Sequence, residues 1–368
     1  MKKKLLILLL SCVMVFALTA CGGSKDKETT EDTAKGMAPE DVKVGFIYIG
    51  SAEDQGFNNS HEDARVALEK DLGVKTMYLE KVPDNAAGSE KAIRDLIDQD
   101  CNVIIGSSFG YGDAMAKVAE EYPEIHFFAT GYQSNDKNFV NYMGRIYKAR
   151  YMAGIAAGMK TESNQIGYVA AFGIPEVVRG INAFTLGARS VNPDATVEVK
   201  WTGAWGDSAT EKTAATELIN KGCDVLSYHQ DTTTTQLAAQ EKGVFVCGYH
   251  YATPDVAPKA YLTSAVWNWE PYFKDQIQKI IDGTWTPDNY WGDEVIQLDK
   301  LSALCAEGTQ EKVDAAKEKM DAGDWDVFYG PINDQDGKLK VKEGASLTDK
   351  EMLNFDWFVE GVKGTIEK

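Results

Sequence analysis

The chain has 368 residues, of which 44% are hydrophobic, 10% aromatic and 26% charged. This is the composition of a globular protein with room for about two domains, and it excludes an intrinsically disordered chain. The formal net charge of −18 repels phosphate backbones and anionic lipid heads, which argues against nucleic-acid binding and electrostatic membrane docking.

The first 41 residues predict an exported protein that is attached to a membrane. Residues 1–20 combine a basic start with an apolar run and predict a signal peptide. The sequence Leu18-Thr19-Ala20-Cys21 resembles a bacterial lipobox, which implies cleavage before Cys21 and a lipid on its sulfur. The alternative is an ordinary secretory peptide with an incidental cysteine. Residues 21–41 are mostly small, polar or charged and predict a lipidated, flexible tether.

Strand-like and helix-like segments alternate after the tether. A β-rich run at 42–49 is followed by predicted helices at 58–72, 88–99 and 114–121 and by predicted strands at 74–79, 103–106 and 125–129. Short, continuously apolar strands between helices favour a parallel sheet that is covered on both faces.

The second half of the chain repeats this pattern at an offset of about 120 residues. Three pairs of segments match in the same order: 45–50 with 167–173, 96–104 with 218–226, and 127–132 with 244–249. The repeat predicts an α/β protein of two similar lobes, each built on a doubly wound parallel sheet, joined by a hinge near Arg145, Val266 and Trp285. The predicted lobes are 42–144 plus 264–285 and 145–263 plus 286–368.

Four cysteines remain beyond the leader and Cys21, namely Cys101, Cys223, Cys247 and Cys305. Their spacing contains no Cys-x-x-Cys unit, which argues against a structural zinc site. The first three lie in or beside apolar runs, where a buried thiol behaves as a small hydrophobic group. The sequence favours free thiols and leaves disulfides open.

Two such lobes predict a ligand site between the carboxyl ends of the two sheets. Loop positions there normally favour polar and turn residues, yet these loops are rich in aromatic rings. The rings belong to Phe57, Phe109, Tyr111, Tyr132, Phe172, Tyr249, His250, Tyr251, Trp267 and Trp269. As a set they predict a flat, unsaturated ligand held by stacking, although any single ring could instead pack beneath its loop.

Polar side chains in the same loops would bind the edge of such a ligand. They are Asp54, Asn58, His61, Arg179, His229, Gln230, Asp231 and His250. Asp231 follows a predicted strand directly, so its carboxylate either accepts a hydrogen bond from a ring amine or caps the next helix. His61 is as compatible with a solvated helix face as with a ligand contact.

The sequence contains no recognisable catalytic set. It lacks the Gly-x-Ser-x-Gly and His-Glu-x-x-His motifs, and residues 106–112 lack the Gly-Lys-Ser/Thr ending of a phosphate-binding loop. The spacing of the four histidines suits no metal site. We therefore predict a protein that is not an enzyme and that has no metal or cofactor.

Several fragments together resemble the basic membrane protein family, over about 42–364. They are Val44-Gly45-Phe46-Ile47, Asp54-Gln55-Gly56-Phe57-Asn58, Tyr151-Met152-Ala153-Gly154, Thr263-Ser264-Ala265-Val266 and Phe328-Tyr329-Gly330-Pro331-Ile332. The resemblance implies a lipoprotein with the type I periplasmic-binding-protein fold, a class that includes purine nucleoside receptors of ABC importers. It also implies that Phe57 is one ring of a base-stacking sandwich, for which Phe172 is the candidate partner.

Three positions depart from the nucleoside receptors of that family. Gly131-Tyr132 and His250 stand where those receptors carry aspartates, and Trp267 stands where they carry a lysine. Those charged groups serve the ribose hydroxyls in the family, so their replacement favours a free purine base such as adenine over a nucleoside. The change resembles a branch with Gly-Tyr, His-x-Asp and Trp-x-Trp signatures.

The resulting hypothesis is a lipid-anchored extracytoplasmic receptor that captures a purine and delivers it to an ABC permease with its ATPase. Its predicted ligand-binding residues are Phe57, Asn58, Asp54, Phe109, Tyr132, Phe172, Arg179, Asp231, Tyr249, His250 and Trp267. Phe57, Phe172 and Trp267 would wall the ring, Asp231 and Asn58 would read its edge, and Arg179 or His250 would complete the polar set. We predict a monomer that meets the membrane through the lipid on Cys21 and binds no nucleic acid.

Rival hypotheses share parts of this argument. A receptor of the same fold could bind a sugar, a flavin or a signalling molecule, and a purine sensor could replace the importer component. A surface enzyme such as a nucleosidase would need a general acid or a metal set in the cleft, for which the sequence offers only scattered carboxylates.

Overall fold

Two β-sheets organise the chain, one in each half of the repeat. The computed structural model describes residues 36–131 and 134–367. The strands of the first sheet are β1 (Lys43–Ile47), β2 (Lys75–Leu79), β3 (Val103–Gly106), β4 (His126–Ala129), β5 (Phe139–Gly144) and β11 (Tyr290–Gly292). They run parallel in the spatial order β11-β5-β4-β3-β1-β2.

The second sheet is built in the same way. Its strands are β6 (Gln165–Ala170), β7 (Thr196–Trp201), β8 (Val225–His229), β9 (Phe245–His250), β10 (Tyr261–Trp267), β12 (Ile296–Leu298) and β15 (Val362–Lys363). Their order is β12-β10-β9-β8-β6-β7-β15, and only β12 runs antiparallel to its neighbour. A separate antiparallel pair joins β13 (Ile332–Asn333) to β14 (Leu339–Val341).

Helices alternate with the strands of both sheets. They are α1 (Phe57–Leu72), α2 (Ala86–Ile97), α3 (Gly112–Glu121), α4 (Tyr147–Lys160), α5 (Pro175–Val191), α6 (Ser208–Asn220), α7 (Thr234–Lys242), α8 (Glu270–Asp282), α9 (Thr309–Asp321) and α10 (Asp349–Met352). The predicted strand–helix alternation of the first half is confirmed within one or two residues at most element ends.

The repeat in the sequence corresponds to a repeat in topology. The order β4-β3-β1-β2 in the first sheet is matched by β9-β8-β6-β7 in the second. All five residues of β8 and all seven of β10 are buried, which explains why these strands are continuously apolar or uncharged rather than alternating. The prediction of two doubly wound parallel sheets is confirmed.

The chain passes between the sheets three times. It crosses after β5 at Arg145, between β10 and α8, and between β11 and β12. Phe273 of α8 packs edge-on against Phe46 of β1, with ring centroids 5.9 Å apart, so α8 belongs with the first sheet.

These crossings differ from the predicted lobe boundaries at 263/264 and 285/286. All of β10 belongs to the second sheet, because all seven of its residues are buried and it stays paired with β9 or β12 through Trp267. The short β11 returns to the first sheet beyond Trp285, and three residues were too few to signal a strand. The Arg145 crossing lies where predicted, and the hinge motion itself stays a prediction.

The last residues of the predicted tether pack on the first lobe. The backbone N–H of Met37 donates to the Ile281 carbonyl at 2.8 Å, and residues Pro39–Asp41 form a 3-10 turn. The tether prediction is therefore wrong for 36–41, because the apolar side chain of Met37 adds to the core. The predicted signal peptide, Cys21 and the rest of the tether lie outside the described residues.

Two further expectations concern thiols and membrane spans. Cys101, Cys223, Cys247 and Cys305 are free thiols, and the first three are buried, as the sequence favoured. Within residues 36–131 and 134–367, no helix combines the length and the apolar character that crossing a bilayer requires.

Small residues bring α4 and α5 into close contact at the start of the second lobe. An ideal Cβ on Gly154 would lie 2.0 Å from the Phe184 carbonyl oxygen, and one on Gly187 would lie 2.0 Å from the Tyr151 carbonyl oxygen. Since backbone atoms cannot yield as a flexible side chain can, both positions require glycine. This packing fixes α5, whose first turn contributes to the site described below.

We expect Gly154→Ala to lower the free energy of unfolding by about 1–3 kcal/mol, because the added methyl must push the two helices apart. Thermal or urea unfolding measures the change. Lys312→Ala on the exposed face of α9 is the control and should stay within about 0.5 kcal/mol of the parent protein. An unchanged Gly154→Ala stability would contradict the packing described here.

Candidate functional site

A cavity lies between the carboxyl ends of the two sheets. The first half lines it with Ile49, Phe57, Ser107, Ser108, Phe109, Thr130, Gly131 and Met143, and the second half with Glu176, Arg179, Trp205, His229, Asp231 and His250. Every charged side chain in this lining comes from the second half, whereas the first half supplies apolar groups, two rings and hydroxyls. The site is therefore aromatic and uncharged on one wall and charged on the other.

Phe57 is presented by the turn that begins α1. The Asp54 carboxylate accepts hydrogen bonds from the backbone N–H groups of Gly56 at 2.8 Å and Asn59 at 2.9 Å, so it caps the helix. The Phe57 ring lies at centroid distances of 4.6 Å from His61 and 5.0 Å from His250. His61 is fully buried behind Phe57, where its ring nitrogens contact the Phe57 carbonyl and the Tyr142 hydroxyl at 2.8 Å.

Asp54 and Asn58 are not part of the cavity lining. The Asn58 amide donates to Asp54 at 2.7 Å, and its oxygen accepts from the Ser107 hydroxyl at 2.7 Å. Both side chains thus build the turn that holds Phe57. The amide oxygen and nitrogen of Asn58 are both engaged within the protein in this geometry.

Asp231 and His250 form the polar corner of the cavity. His250 Nε2 lies 3.1 Å from Asp231 Oδ1, and His250 Nδ1 accepts a hydrogen bond from Trp267 Nε1 at 3.1 Å. Because an indole N–H can only donate, Nδ1 carries no proton, and the neutral ring carries its proton on Nε2, facing Asp231. His250 adopts a left-handed backbone with φ 68°, which turns its ring toward the cavity at the end of β9.

The Asp231 carboxyl has an unusual electrostatic environment. Its burial and the nearby carboxylates of Glu176 and Asp84 raise its pKa from 3.8 to about 8. Burial and Asp231 itself raise the pKa of Asp54 to about 6, and burial raises that of Glu211 to about 7. Among the described residues no Lys or Arg forms an ion pair with Asp231. At neutral pH this carboxyl is mainly in its acid form, so it can donate as well as accept a hydrogen bond.

Glu176 and Arg179 come from the first turn of α5. The Glu176 carboxylate accepts from the Tyr249 hydroxyl at 3.2 Å and lies 3.4 Å from His229 Nε2. Burial opposes its ionisation, but His229 and the Arg179 guanidinium outweigh that effect and lower its pKa. Burial lowers the pKa of His229 to about 3, so its ring is neutral. The Arg179 guanidinium donates to the Met352 carbonyl at 2.7 Å and stacks on Trp291 at 4.7 Å.

Trp205 is the second-lobe ring that lines the cavity, and sequence reasoning missed it. It lies in the loop after β7, and its carbonyl accepts from the Asp231 N–H at 2.8 Å. Phe172, the predicted sandwich partner, packs edge-on against Trp205 at 5.2 Å and does not line the cavity. The strand before Trp205, β7, alternates charged and apolar residues, so it does not form the continuously apolar run by which the other strands were predicted. The one sequence signal for this loop is the Trp-x-x-x-Trp pair formed by Trp201 and Trp205.

The remaining predicted site residues divide into two groups. Phe109 lines the cavity. Trp267 and Tyr249 lie behind it: Trp267 stacks on Trp269 at 4.7 Å, and the Arg150 guanidinium lies 3.3 Å from the centre of the Tyr249 ring. Tyr132 lies outside the described residues.

The two halves also touch outside the cavity. The Tyr251 hydroxyl, after β9, donates to the Asp63 carboxylate on α1 at 2.8 Å. An ideal Cβ on Gly56 would lie 2.4 Å from the Asp231 carbonyl oxygen, so the turn before α1 lies directly against the second half. These contacts hold the two halves together beside the cavity, as in the closed form of a two-lobed cleft.

The class of the protein follows from comparison with known sequences. Residues 41–322 match the Bmp family, described as ABC transporter substrate-binding protein, PnrA-like, and the chain belongs to this family. The predicted resemblance is confirmed. ABC substrate-binding proteins work on the extracytoplasmic side and are non-catalytic components of transporters, so the prediction of a protein that is not an enzyme is also confirmed.

Two relatives are similar over most of their length. The chain is 38% identical over 358 residues to a putative ABC transporter glucose-binding protein of Haloferax volcanii, covering 95% of this chain and 88% of that protein. It is 36% identical over 330 residues to a purine-binding protein of Brucella abortus, covering 88% and 94%.

Solved structures support the fold. An ABC transporter solute-binding protein from Aeropyrum pernix superposes with a TM-score of 0.68 at 17% identity, covering 80% of this chain and 93% of that one. One from Conexibacter woesei gives a TM-score of 0.64 at 23% identity, covering 77% and 98%. The predicted type I periplasmic-binding-protein fold is confirmed. Among the residues that the structure describes, no group of three or more His, Cys, Asp or Glu side chains is placed to hold a metal ion.

We expect Tyr251→Phe to speed ligand release by about 2- to 10-fold, because it removes one hydrogen bond that exists only while the cleft is shut. Stopped-flow tryptophan fluorescence measures the dissociation rate. Tyr329→Phe, which alters an exposed tyrosine far along the chain, is the matched control and should release ligand at the parental rate. Equal rates in all three proteins would argue against a role for the Tyr251–Asp63 contact.

Proposed function

We propose that this chain is a lipid-anchored receptor that captures a purine base, adenine rather than adenosine, for delivery to an ABC permease and its ATPase. The anchor would be the lipid on Cys21, and the receptor would act as a monomer. The observation that carries the proposal is that Phe57 and Trp205, from opposite halves, line one cavity together with the Asp231 carboxyl. Two rings supply the stacking faces, and the carboxyl supplies the edge contact.

The charge balance of the cavity favours an uncharged ligand. Glu176 is ionised and opposed by Arg179, His229 is neutral, and Asp231 is mainly protonated. A charged ligand would add an uncompensated charge to a buried site, which is costly. A neutral heterocycle avoids that cost and gains about 1–3 kcal/mol for each aromatic ring on which it stacks.

The acid form of Asp231 favours adenine among the purines. A protonated carboxyl offers one O–H donor beside one carbonyl acceptor. Adenine presents the complementary pair, a ring-nitrogen acceptor next to its exocyclic amine. Guanine presents two adjacent donors on its pairing edge and would require the ionised carboxylate, which its surroundings disfavour.

Two residues argue for a base without ribose. His250 and Trp267 occupy the positions at which the family resemblance places groups for the ribose hydroxyls. Trp267 donates its only N–H to His250 Nδ1, and Trp267 does not line the cavity. Neither residue therefore supplies the charged group that a sugar hydroxyl would meet in a nucleoside receptor.

Calorimetry with adenine, guanine, hypoxanthine, adenosine and glucose tests the proposal, and adenine should bind most tightly. Trp205→Ala should weaken adenine binding by about 10- to 100-fold, since it removes one stacking face. Phe172→Leu, which keeps apolar bulk behind Trp205, is the matched control and should change the Kd by less than about 3-fold. Heat from glucose alone, as the Haloferax volcanii relative would suggest, would overturn the purine assignment.

We expect adenine affinity to fall as the pH rises from about 4 to about 8 and to level off above that. The pKa of Asp231 is raised from 3.8 to about 8 in the closed form, so closing around adenine takes up a proton that the open form has released. The gain in adenine affinity from this proton is complete below the ordinary pKa of 3.8. Above that value the affinity falls by up to about tenfold per pH unit, and the gain is lost near pH 8.

The control for this pH dependence is Asp231→Asn, whose amide has a donor and an acceptor but does not titrate. It should retain adenine binding and remove most of the slope. Guanine binding should be weak and should not fall with pH, because the ionised carboxyl suits it. A slope that persists in Asp231→Asn would show that another group takes up the proton.

A further inference from the structure

Gly180 opens a small polar space inside the second lobe, behind the cavity. It lies on α5, where an ideal Cβ would be 3.5 Å from His229 Nδ1, 3.7 Å from Tyr168 Oη and 3.8 Å from Arg150 Nε. These are ordinary contact distances, so the space beside the glycine is about as large as a methyl group. Three polar atoms from three different elements converge on it.

All three atoms belong to buried side chains. Arg150 and Tyr168 are 0% exposed and His229 is 1% exposed. Within the part of the chain that the structure describes, none of these three atoms has a hydrogen-bond partner. Buried polar groups are almost always hydrogen-bonded, and an unpaired one is destabilising. Three such atoms around one space point to a shared partner.

We propose that His229, Tyr168 and Arg150 together bind one buried water molecule beside Gly180. The water would accept hydrogen bonds from Arg150 Nε–H and Tyr168 O–H and would donate one to His229 Nδ1. Buried waters typically make about three hydrogen bonds to protein groups that otherwise lack partners. The three contacts account for each of the three atoms.

The His229 ring favours water over an anion in this space. Its Nε2 lies 3.4 Å from the ionised Glu176 carboxylate, so Nε2 carries the proton and Nδ1 presents a lone pair. An anion would meet that lone pair and could not donate to it. The Arg150 charge is met instead by the Tyr249 ring, 3.3 Å away, and by the Tyr228 carbonyl, which accepts from Arg150 at 2.9 Å.

The water would link His229, which lines the cavity, to Arg150 and Tyr168 in the interior of the lobe. By donating to Nδ1 it fixes the His229 tautomer whose Nε2–H faces Glu176, and Glu176 in turn faces Arg179. Arg150 and Tyr168 are then positioning residues that act on the cavity through the water. This inference does not depend on which ligand the cavity binds.

Gly180→Ala tests the proposal, because its methyl fits the space without steric overlap and would displace the water. Replacing a helical glycine by alanine normally raises stability. Here we expect the Tm to fall, since three buried groups lose their partner, and the nitrogen NMR signals of His229 to shift. Tyr168→Phe leaves the space open, so the water and the His229 tautomer should survive in that variant.

A high-resolution crystal structure of the ligand-free parent protein decides the matter independently of the variants. Density for a water within hydrogen-bond distance of all three atoms is expected. Empty density, or an anomalous peak after exchange into bromide, would overturn the proposal. So would a Gly180→Ala protein with a raised Tm and unchanged His229 signals. Failure of purine binding would leave each of these outcomes unaffected.

Discussion

The site depends on holding one carboxyl group, that of Asp231, away from water at the junction of two sheets. A buried carboxylate is costly unless a partner offsets its negative charge or the group takes up a proton. Burial and nearby carboxylates raise its pKa and favour the neutral form, and His250 Nε2 lies 3.1 Å away, with Trp267 fixing the tautomer of that ring from behind. The left-handed backbone of His250 and the close approach of Gly56 to the Asp231 carbonyl serve the same arrangement. The carboxyl is thus set by groups from both halves of the molecule.

The two walls of the cavity have different tasks. The first wall offers rings and hydroxyls, which tolerate a ligand of any orientation in the plane. The second wall offers Trp205 together with Glu176, Arg179 and Asp231, and under the proposed function these three polar side chains would fix that orientation through directional bonds. Arg150 adds a buried positive charge behind the second wall, and together with burial it keeps His229 and His250 neutral. In the proposed binding mode, each half therefore contributes one stacking ring, and only the second half contributes charged groups.

Much of the fold could be predicted, because parallel strands buried on both faces leave continuous apolar runs such as those of β3 and β8. The internal repeat added that the two lobes are similar. Phe57, Asp231, Arg179 and His250 could be placed at the cavity from the rule that ligands bind at carboxyl ends of strands. Two features could not be predicted. The loop of Trp205 was missed because the strand before it, β7, alternates charged and apolar residues, and the last crossing was missed because β11 has only three residues.

Other differences between the predicted and the observed cavity lining come from side-chain partners that sequence does not reveal. Asp54 lies in the expected loop, but the first N–H groups of the helix that begins at Phe57 donate to its carboxylate. Asn58 lies in the first turn of that helix, where its amide pairs with Asp54 and Ser107. Phe172 and Tyr249 have the expected residue type and position, yet each lies one layer behind the lining. A sequence places a residue in a loop, whereas only packing decides which layer of that loop its ring occupies.

The segment after α9 has a role that its distance from the cavity in sequence conceals. The Met352 carbonyl accepts from Arg179, and the Asp349 carboxylate pairs with Arg145 at the first crossing, 2.8 Å away. Trp291 lies against both guanidiniums, at 4.7 Å from Arg179 and 5.3 Å from Arg145. The segment after α9 thereby stabilises both the first crossing between the sheets and the cavity lining. Removing it for crystallisation or display would take away the contacts of Arg145 and Arg179.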